Sequence, residues 1–157
     1  MLTKMESIHT LQQLFRAVQA ATDTRPFFTD LKDVLQSYNG LDWSVFVHPD
    51  PQGLVKERVY YSHNLEIMLL SWQAGHSTLP HDHATKGCWL KVLEGQLLET
   101  RYNEELQETE KTCITKGQIS FMSNDFGYHS IQNNGSEVTW SLHVYSPPFH
   151  MTRYFEL

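Results

Sequence analysis

The stretch GHSTLPHDHATKGCWLKVLEG, residues 75–95, places two histidines one residue apart between two glycines. In an extended strand successive side chains point to opposite faces, so His81 and His83 would point the same way. Two imidazoles on one face can bind a metal ion, although an H-x-H pair by itself is equally typical of a polar loop. Gly75 and Gly95 frame the pair, and glycines at such points mark turns or close approaches of backbone.

This frame resembles the first motif of the cupin superfamily, G-x5-H-x-H-x4-E-x6-G. Every motif position matches except one, because Cys88 stands where the glutamate belongs. Among cupins, a cysteine in this setting is similar to the cysteine dioxygenases. The resemblance implies a jelly-roll barrel with a metal inside it.

A later segment, GQISFMSNDFGYHSIQN at residues 117–133, resembles the second cupin motif, G-x5-P-x-G-x2-H-x3-N. The first glycine, the histidine and the H-x3-N spacing match, with His129 as the histidine and Asn133 as the asparagine. Ser123 replaces the proline, and the loop before His129 is one residue longer. The segment alone is also compatible with a surface histidine near a turn.

The two motifs together predict a metal site made of His81, His83 and His129. Three neutral imidazoles leave coordination positions open, and by ligand type they suit zinc and iron equally. The resemblance selects Fe(II), one per chain. A typical cupin adds the motif glutamate, and its replacement by Cys88 removes one negative charge that a substrate thiolate can supply.

The stretch SLHVYSPP, residues 141–148, resembles a sequence that is characteristic of cysteine dioxygenases. Strand alternation puts Ser141, His143 and Tyr145 on one face, where a polar ladder in a barrel wall is the simpler interpretation. The resemblance implies that the three residues form a hydrogen-bonded line to the metal site. It also implies a thioether between Cys88 and Tyr145, with His143 fixing the orientation of the phenol.

The substrate-binding position is less well matched. Cysteine dioxygenases usually carry Tyr-x-Arg on an early strand, and the arginine holds the substrate carboxylate, for which a guanidinium is well suited. Arg58 fits this place on the strand of residues 56–61, with Lys56 at the tyrosine position. The alternative takes residues 61–65 as the motif, with His63 replacing arginine, but leaves too few residues for a turn. A third interpretation is that Arg58 is an exposed side chain that does not bind substrate.

Composition excludes several classes of partner. Twelve Lys and Arg against eighteen Asp and Glu give a net charge of −6, which disfavours nucleic-acid binding. No apolar run approaches the roughly 20 residues of a membrane-spanning helix. The two cysteines do not form a disulfide framework, and the first residues lack a signal-peptide core, so we expect a protein of the reducing cytosol. We also expect a monomer.

Periodicity predicts an all-β domain with short N-terminal helices. Helical spacing of apolar residues covers 7–22 and 28–38, and β-rich runs separated by turn residues follow. The length of 157 residues suits one domain, with a helical part over 1–40 and a barrel over 43–149. The predicted strands cover 43–47, 55–61, 65–72, 88–93, 97–102, 108–114, 118–122, 129–132 and 138–145.

The resemblance therefore implies an Fe(II) enzyme that oxidises L-cysteine with O2 to cysteine sulfinic acid. Related dioxygenases of 3-mercaptopropionate use glutamine at the arginine position, and the strand around Arg58 has none, which favours cysteine. Two other hypotheses remain open. One is a metal-binding cupin without oxygenase activity, against which the residues 141–145 argue, and the other is a zinc hydrolase.

Overall fold

The structure, a computed structural model, describes residues 6–157 and consists mainly of antiparallel strands preceded by two helices. The helices are α1 (Leu11–Thr24) and α2 (Lys32–Ser37). The strands are β1 (Leu54–Tyr61), β2 (Glu66–Trp72), β3 (Gly87–Glu94), β4 (Gln96–Tyr102), β5 (Glu108–Thr115), β6 (Ile119–Met122), β7 (Tyr128–Gln132) and β8 (Thr139–Ser146). The predicted all-β class with N-terminal helices is confirmed.

Helix α1 begins four residues later than the predicted start at residue 7, at a capping box. The Thr10 side chain accepts a hydrogen bond from the Gln13 backbone N–H, and the Gln13 side chain accepts one from the Thr10 backbone N–H. Leu11, Leu14 and Val18 lie one turn apart and are fully buried. The helix therefore packs one apolar face against the sheet, as its periodicity predicted.

The second predicted helix, 28–38, is divided into a 3-10 turn at Phe28–Leu31 and helix α2. Lys91 of strand β3 lies buried beneath this helix. Its ammonium group donates to the carbonyls of Leu35 at 2.7 Å and Tyr38 at 2.6 Å. These bonds satisfy carbonyls that a helix end leaves without partners, and they fasten the helical part to the sheet.

The strand predicted at 43–47 is wrong, because Asp42–Val45 form a 3-10 helix. The Asp42 carboxylate accepts hydrogen bonds from the Leu11 N–H and the Tyr38 hydroxyl, both at 2.9 Å, and so holds this segment against α1. Trp43 and Val47 are buried whereas Val45 is 69% exposed. A strand would have turned all three side chains to one face, so the four-residue spacing of the buried pair belongs to a helical turn.

The strands form two sheets that enclose the site. The five-stranded sheet has the order β1-β2-β8-β3-β6 and the three-stranded sheet the order β5-β4-β7. One core cluster lies between the helices and the outer face of the larger sheet. A second fills the space between the sheets, and its buried members are Leu70, Trp72, Leu90, Val92, Leu97, Ile114 and Ile131.

Gly95 makes the sharp turn from β3 into β4. Its φ is +89°, and a side chain there would place its Cβ 2.3 Å from the Thr139 hydroxyl oxygen. This close approach explains the glycine that closes the first motif.

Neither α-helix within residues 6–157 has the length and apolar character that crossing a membrane requires.

Candidate metal centre and active site

Backbone pairing between residues 75–81 and the segment 129–133 brings the two sequence motifs together. The His81 N–H donates to the His129 carbonyl at 3.0 Å, in an isolated antiparallel bridge beside strand β7. His83 lies beyond the bridge in irregular backbone, so strand alternation does not determine the direction of its side chain. The Asn124 side chain fixes this residue instead, accepting from the His83 N–H at 2.8 Å and donating to its carbonyl at 2.9 Å.

His81, His83 and His129 nevertheless converge. One ring nitrogen from each lies within 4.8 Å of the others, and residues 6–157 contain no second such group of metal-ligand side chains. The Nε2 atoms of His83 and His129 are 2.9 Å apart. Two nitrogens about 2.1 Å from one ion and at right angles to it would be about 3 Å apart, so this spacing fits a shared metal.

Hydrogen bonds orient two of the three rings. The Nδ1 of His81 lies 2.9 Å from the Leu79 carbonyl, and that of His129 lies 2.8 Å from the Glu99 carboxylate. A proton on each Nδ1 satisfies these acceptors and leaves the Nε2 lone pairs free for a metal. Burial lowers the pKa of His81 to about 4 and that of His129 well below its ordinary value, so both rings are neutral at neutral pH.

Glu99, which contacts the His129 ring, is a residue of the candidate site that the sequence analysis missed. Its side chain is buried in β4 and also accepts from the Ser120 hydroxyl at 2.9 Å and pairs with Arg101 at 3.4 Å. Strand alternation places Glu99 on the same face as the fully buried Leu97. An acidic side chain on the core-facing side of a strand was the available signal.

Strand β8 carries a continuous polar line through the barrel interior. The Trp72 indole N–H donates to the Ser141 hydroxyl at 2.9 Å, which lies 2.8 Å from Nε2 of His143. The Tyr145 hydroxyl lies 3.3 Å from Nδ1 of the same ring. Burial, followed by the positive charge of Lys56, lowers the pKa of His143 to about 3, which keeps the ring neutral.

Cys88 lies next to Tyr145 across the sheet. The two residues are directly opposite in the register of β3 and β8. The Cys88 sulfur is 3.9 Å from the same His143 nitrogen that Tyr145 contacts. Burial raises the pKa of both the thiol and the phenol above their ordinary values, so both groups keep their protons at neutral pH.

A cavity connects the three histidines to this line of residues. It is bordered by apolar side chains, by Cys88, His143 and Tyr145, and at its mouth by Lys56 and Tyr154. Arg58 and His63, the two candidates for substrate binding, do not line it. The Nε of Arg58 instead lies 2.6 Å from a carboxylate oxygen of Glu66, and its guanidinium stacks over Phe149. His63 is exposed in the turn between β1 and β2.

Asp82, between the two motif histidines, holds the C-terminal segment over the cavity. Its carboxylate accepts from the backbone N–H and the side chain of Arg153, at 2.8 and 2.9 Å, and from His150 at 2.9 Å. Tyr154 then forms an antiparallel bridge with His81. The sequence analysis had assigned no function to residues 150–154.

The family model of cysteine dioxygenase type I matches residues 2–157. The chain belongs to this family. A curated relative, the cysteine dioxygenase type 1 of Danio rerio, is 30% identical over 98% of this chain and 79% of its own length. The protein is thus an enzyme of the cysteine dioxygenase family, a cupin thiol dioxygenase.

Solved structures place the fold among the cupins. A Klebsiella pneumoniae protein with a double-stranded beta-helix domain is 17% identical, with a TM-score of 0.61, over 73% of this chain and 95% of that one. A cupin superfamily protein from Desulfitobacterium hafniense is 14% identical, with a TM-score of 0.54, over 66% and 85%. The predicted cupin barrel is confirmed, as is the resemblance to cysteine dioxygenases.

We expect Glu99→Gln to weaken metal binding roughly tenfold, because a neutral amide polarises the His129 ring less than a carboxylate. The measurement is a competition titration with a metal chelator, using exposed Glu94→Gln as the matched control. Equal metal affinity of the Glu99 variant and the unsubstituted protein would show that this carboxylate does not support the centre.

Proposed function

We propose that this enzyme oxidises L-cysteine with O2 to cysteine sulfinic acid, using one Fe(II) held by His81, His83 and His129. The observation that supports this proposal most strongly is the position of Cys88. It lies beside Tyr145 and borders the same cavity as the three histidines, at the motif position where other cupins have a glutamate. Membership of the cysteine dioxygenase family supports the substrate and the chemistry.

The side chains fit a divalent iron ion. Three neutral imidazoles suit Fe(II), and because His81, His83 and His129 would supply only three ligands, they would leave positions open for substrate. The iron would supply coordination of the substrate thiolate and activation of O2. The protein adds no anionic ligand at Cys88, whose buried thiol keeps its proton, so the thiolate of the substrate can provide the negative charge.

Strand β8 controls one proton at the edge of the cavity. The Ser141 hydroxyl accepts from Trp72 and can donate to Nε2 of His143, which puts the imidazole proton on Nδ1. That proton is donated to the Tyr145 oxygen, and the Tyr145 hydroxyl proton is then free to donate to substrate or to oxygen in the cavity. His143 and Ser141 therefore act by positioning Tyr145.

The reaction balances without a further electron donor, since RSH and O2 contain all the atoms of RSO2H. We propose a monomer of the reducing cytosol, where the substrate thiol and the two unpaired cysteines of the chain stay reduced. 3-Mercaptopropionate, which also carries a thiol and a carboxylate, is the alternative substrate.

The decisive experiment combines metal analysis with oxygen uptake. Protein purified without added metal should contain iron. When L-cysteine is supplied, the amount of O2 consumed should equal the amount of cysteine sulfinic acid formed. His129→Ala should retain less metal and lose turnover, because a third of the ligand set is gone. Exposed His48→Ala is the matched control.

Zinc in place of iron, with no oxygen uptake after iron is added, would favour the hydrolase hypothesis. Bound iron without thiol-dependent oxygen uptake would leave a metal-binding cupin. Full iron occupancy and turnover in His129→Ala would contradict the ligand assignment.

We also propose the thioether between Cys88 and Tyr145. It would join the cysteine sulfur to a phenol ring carbon, and the two hydrogens lost would pass to O2, giving hydrogen peroxide in the formal balance. Contact of both groups with the same His143 nitrogen supports the pairing. The bond would restrict the phenol ring before substrate binds, so it should raise activity without being required.

Peptide mass spectrometry after incubation with iron, L-cysteine and O2 tests this bond. We expect a fraction of the Cys88 and Tyr145 peptides to become joined, lighter by two hydrogens, with no such species in Cys88→Ala. Exposed Cys113→Ala should cross-link normally. If the two peptides always separate at full mass, the thioether is absent, although the histidine site is unaffected by that result.

A further inference from the structure

Lys56 gives the cavity an unusual charge distribution. It is the one Lys or Arg side chain among the described residues that border the cavity. In β1 it pairs with Leu70 of β2, and Leu70 also borders the cavity. The side chain is exposed at the mouth, and its ammonium lies 3.4 Å from the Tyr154 hydroxyl. A cation thus stands at the entrance of a site otherwise lined by neutral groups and by Asp82.

The charge of Lys56 has no ion-pair partner within residues 6–157. No carboxylate of residues 6–157 forms an ion pair with it, and Asp82 is occupied by His150 and Arg153. Arg58, two residues further along the same strand, differs in this respect. Its guanidinium is paired with the buried Glu66 carboxylate, is packed against Phe149 and does not border the cavity, so a substrate at the histidines does not contact it.

We propose that Lys56, rather than Arg58, binds the carboxylate of the thiol substrate. The inference rests on the proposed function, because it takes the substrate to be a small thiol with a carboxylate. Lys56 and the Tyr154 hydroxyl border the same cavity as the three histidines, so a thiol bound at the histidines would have both hydrogen-bond donors available to its carboxylate. Tyr154 reaches this place through its bridge to His81 and the Asp82 contacts of Arg153.

The chemistry of lysine has a consequence for selectivity. An ammonium group is a point charge on a flexible stem, whereas a guanidinium binds a carboxylate through two parallel hydrogen bonds. Lys56 should therefore require a carboxylate but tolerate a change at the neighbouring carbon. L-Cysteine and 3-mercaptopropionate, which differ by the amine, should consequently bind with similar affinity.

Anaerobic calorimetric titration of the iron-loaded protein tests the carboxylate contact apart from turnover. The ligands are L-cysteine, 3-mercaptopropionate and 2-aminoethanethiol, which lacks a carboxylate. We expect Lys56→Met to weaken binding of the first two about 10- to 100-fold, as loss of a charged hydrogen bond would, and to leave the third unchanged. Lys56→Arg should restore most of the affinity, and exposed Lys111→Met is the matched control.

Three results would decide the matter. Unchanged affinity in Lys56→Met, or an equal loss for 2-aminoethanethiol, would overturn the proposal. A selective loss in Arg58→Met without one in Lys56→Met would return the role to Arg58. Carboxylate-selective binding through Lys56 without oxygen uptake would support the contact while contradicting the proposed dioxygenase function.

Discussion

Main-chain hydrogen bonds between residues 75–81 and the segment 129–133, among them that from the His81 N–H to the His129 carbonyl, hold together the two motifs that supply the three histidines. The two histidines are 48 positions apart in the chain, and this main-chain pairing sets their rings side by side, with centroids 4.7 Å apart. The C-terminal segment pairs with the other edge of His81 through Tyr154. Ligand convergence and closure of the cavity thus depend on the same short piece of extended backbone.

Neutrality is the second constraint on the site. Burial keeps the histidines neutral and keeps the protons on the Cys88 thiol and the Tyr145 phenol. These side chains therefore offer nitrogen lone pairs and one hydroxyl proton to a ligand, but no net charge. The charged exceptions are Glu99 behind His129, Asp82, which is paired with Arg153 and His150, and Lys56 at the mouth. Glu99 accepts a hydrogen bond from the His129 ring, and Lys56 has no carboxylate partner among residues 6–157. Such a centre selects ligands that bring their own negative charge.

Local pattern was sufficient for much of this architecture. Alternation along β8 placed Ser141, His143 and Tyr145 on one face, and turn residues located most strands. Local pattern was insufficient where contacts between residues far apart in the sequence determine the structure. The 3-10 helix at Asp42–Val45 depends on carboxylate contacts with α1, and the role of Glu99 depends on β4 lying beside β7. The choice between Lys56 and Arg58 depends on Glu66, which reaches Arg58 only through the β1–β2 register. Motif matching cannot show that an arginine already forms an ion pair with a neighbouring carboxylate.

The most direct test of the account is the origin of the oxygen atoms in the product. The iron-loaded enzyme would be supplied with L-cysteine under isotopically heavy O2 in ordinary water, and the product analysed by mass spectrometry. A cysteine sulfinic acid carrying two heavy oxygen atoms is the predicted result, because both atoms of O2 enter one thiol. Product that contains oxygen from water at both positions, or oxygen uptake that yields only cystine, would contradict the assignment of this site as a thiol dioxygenase centre.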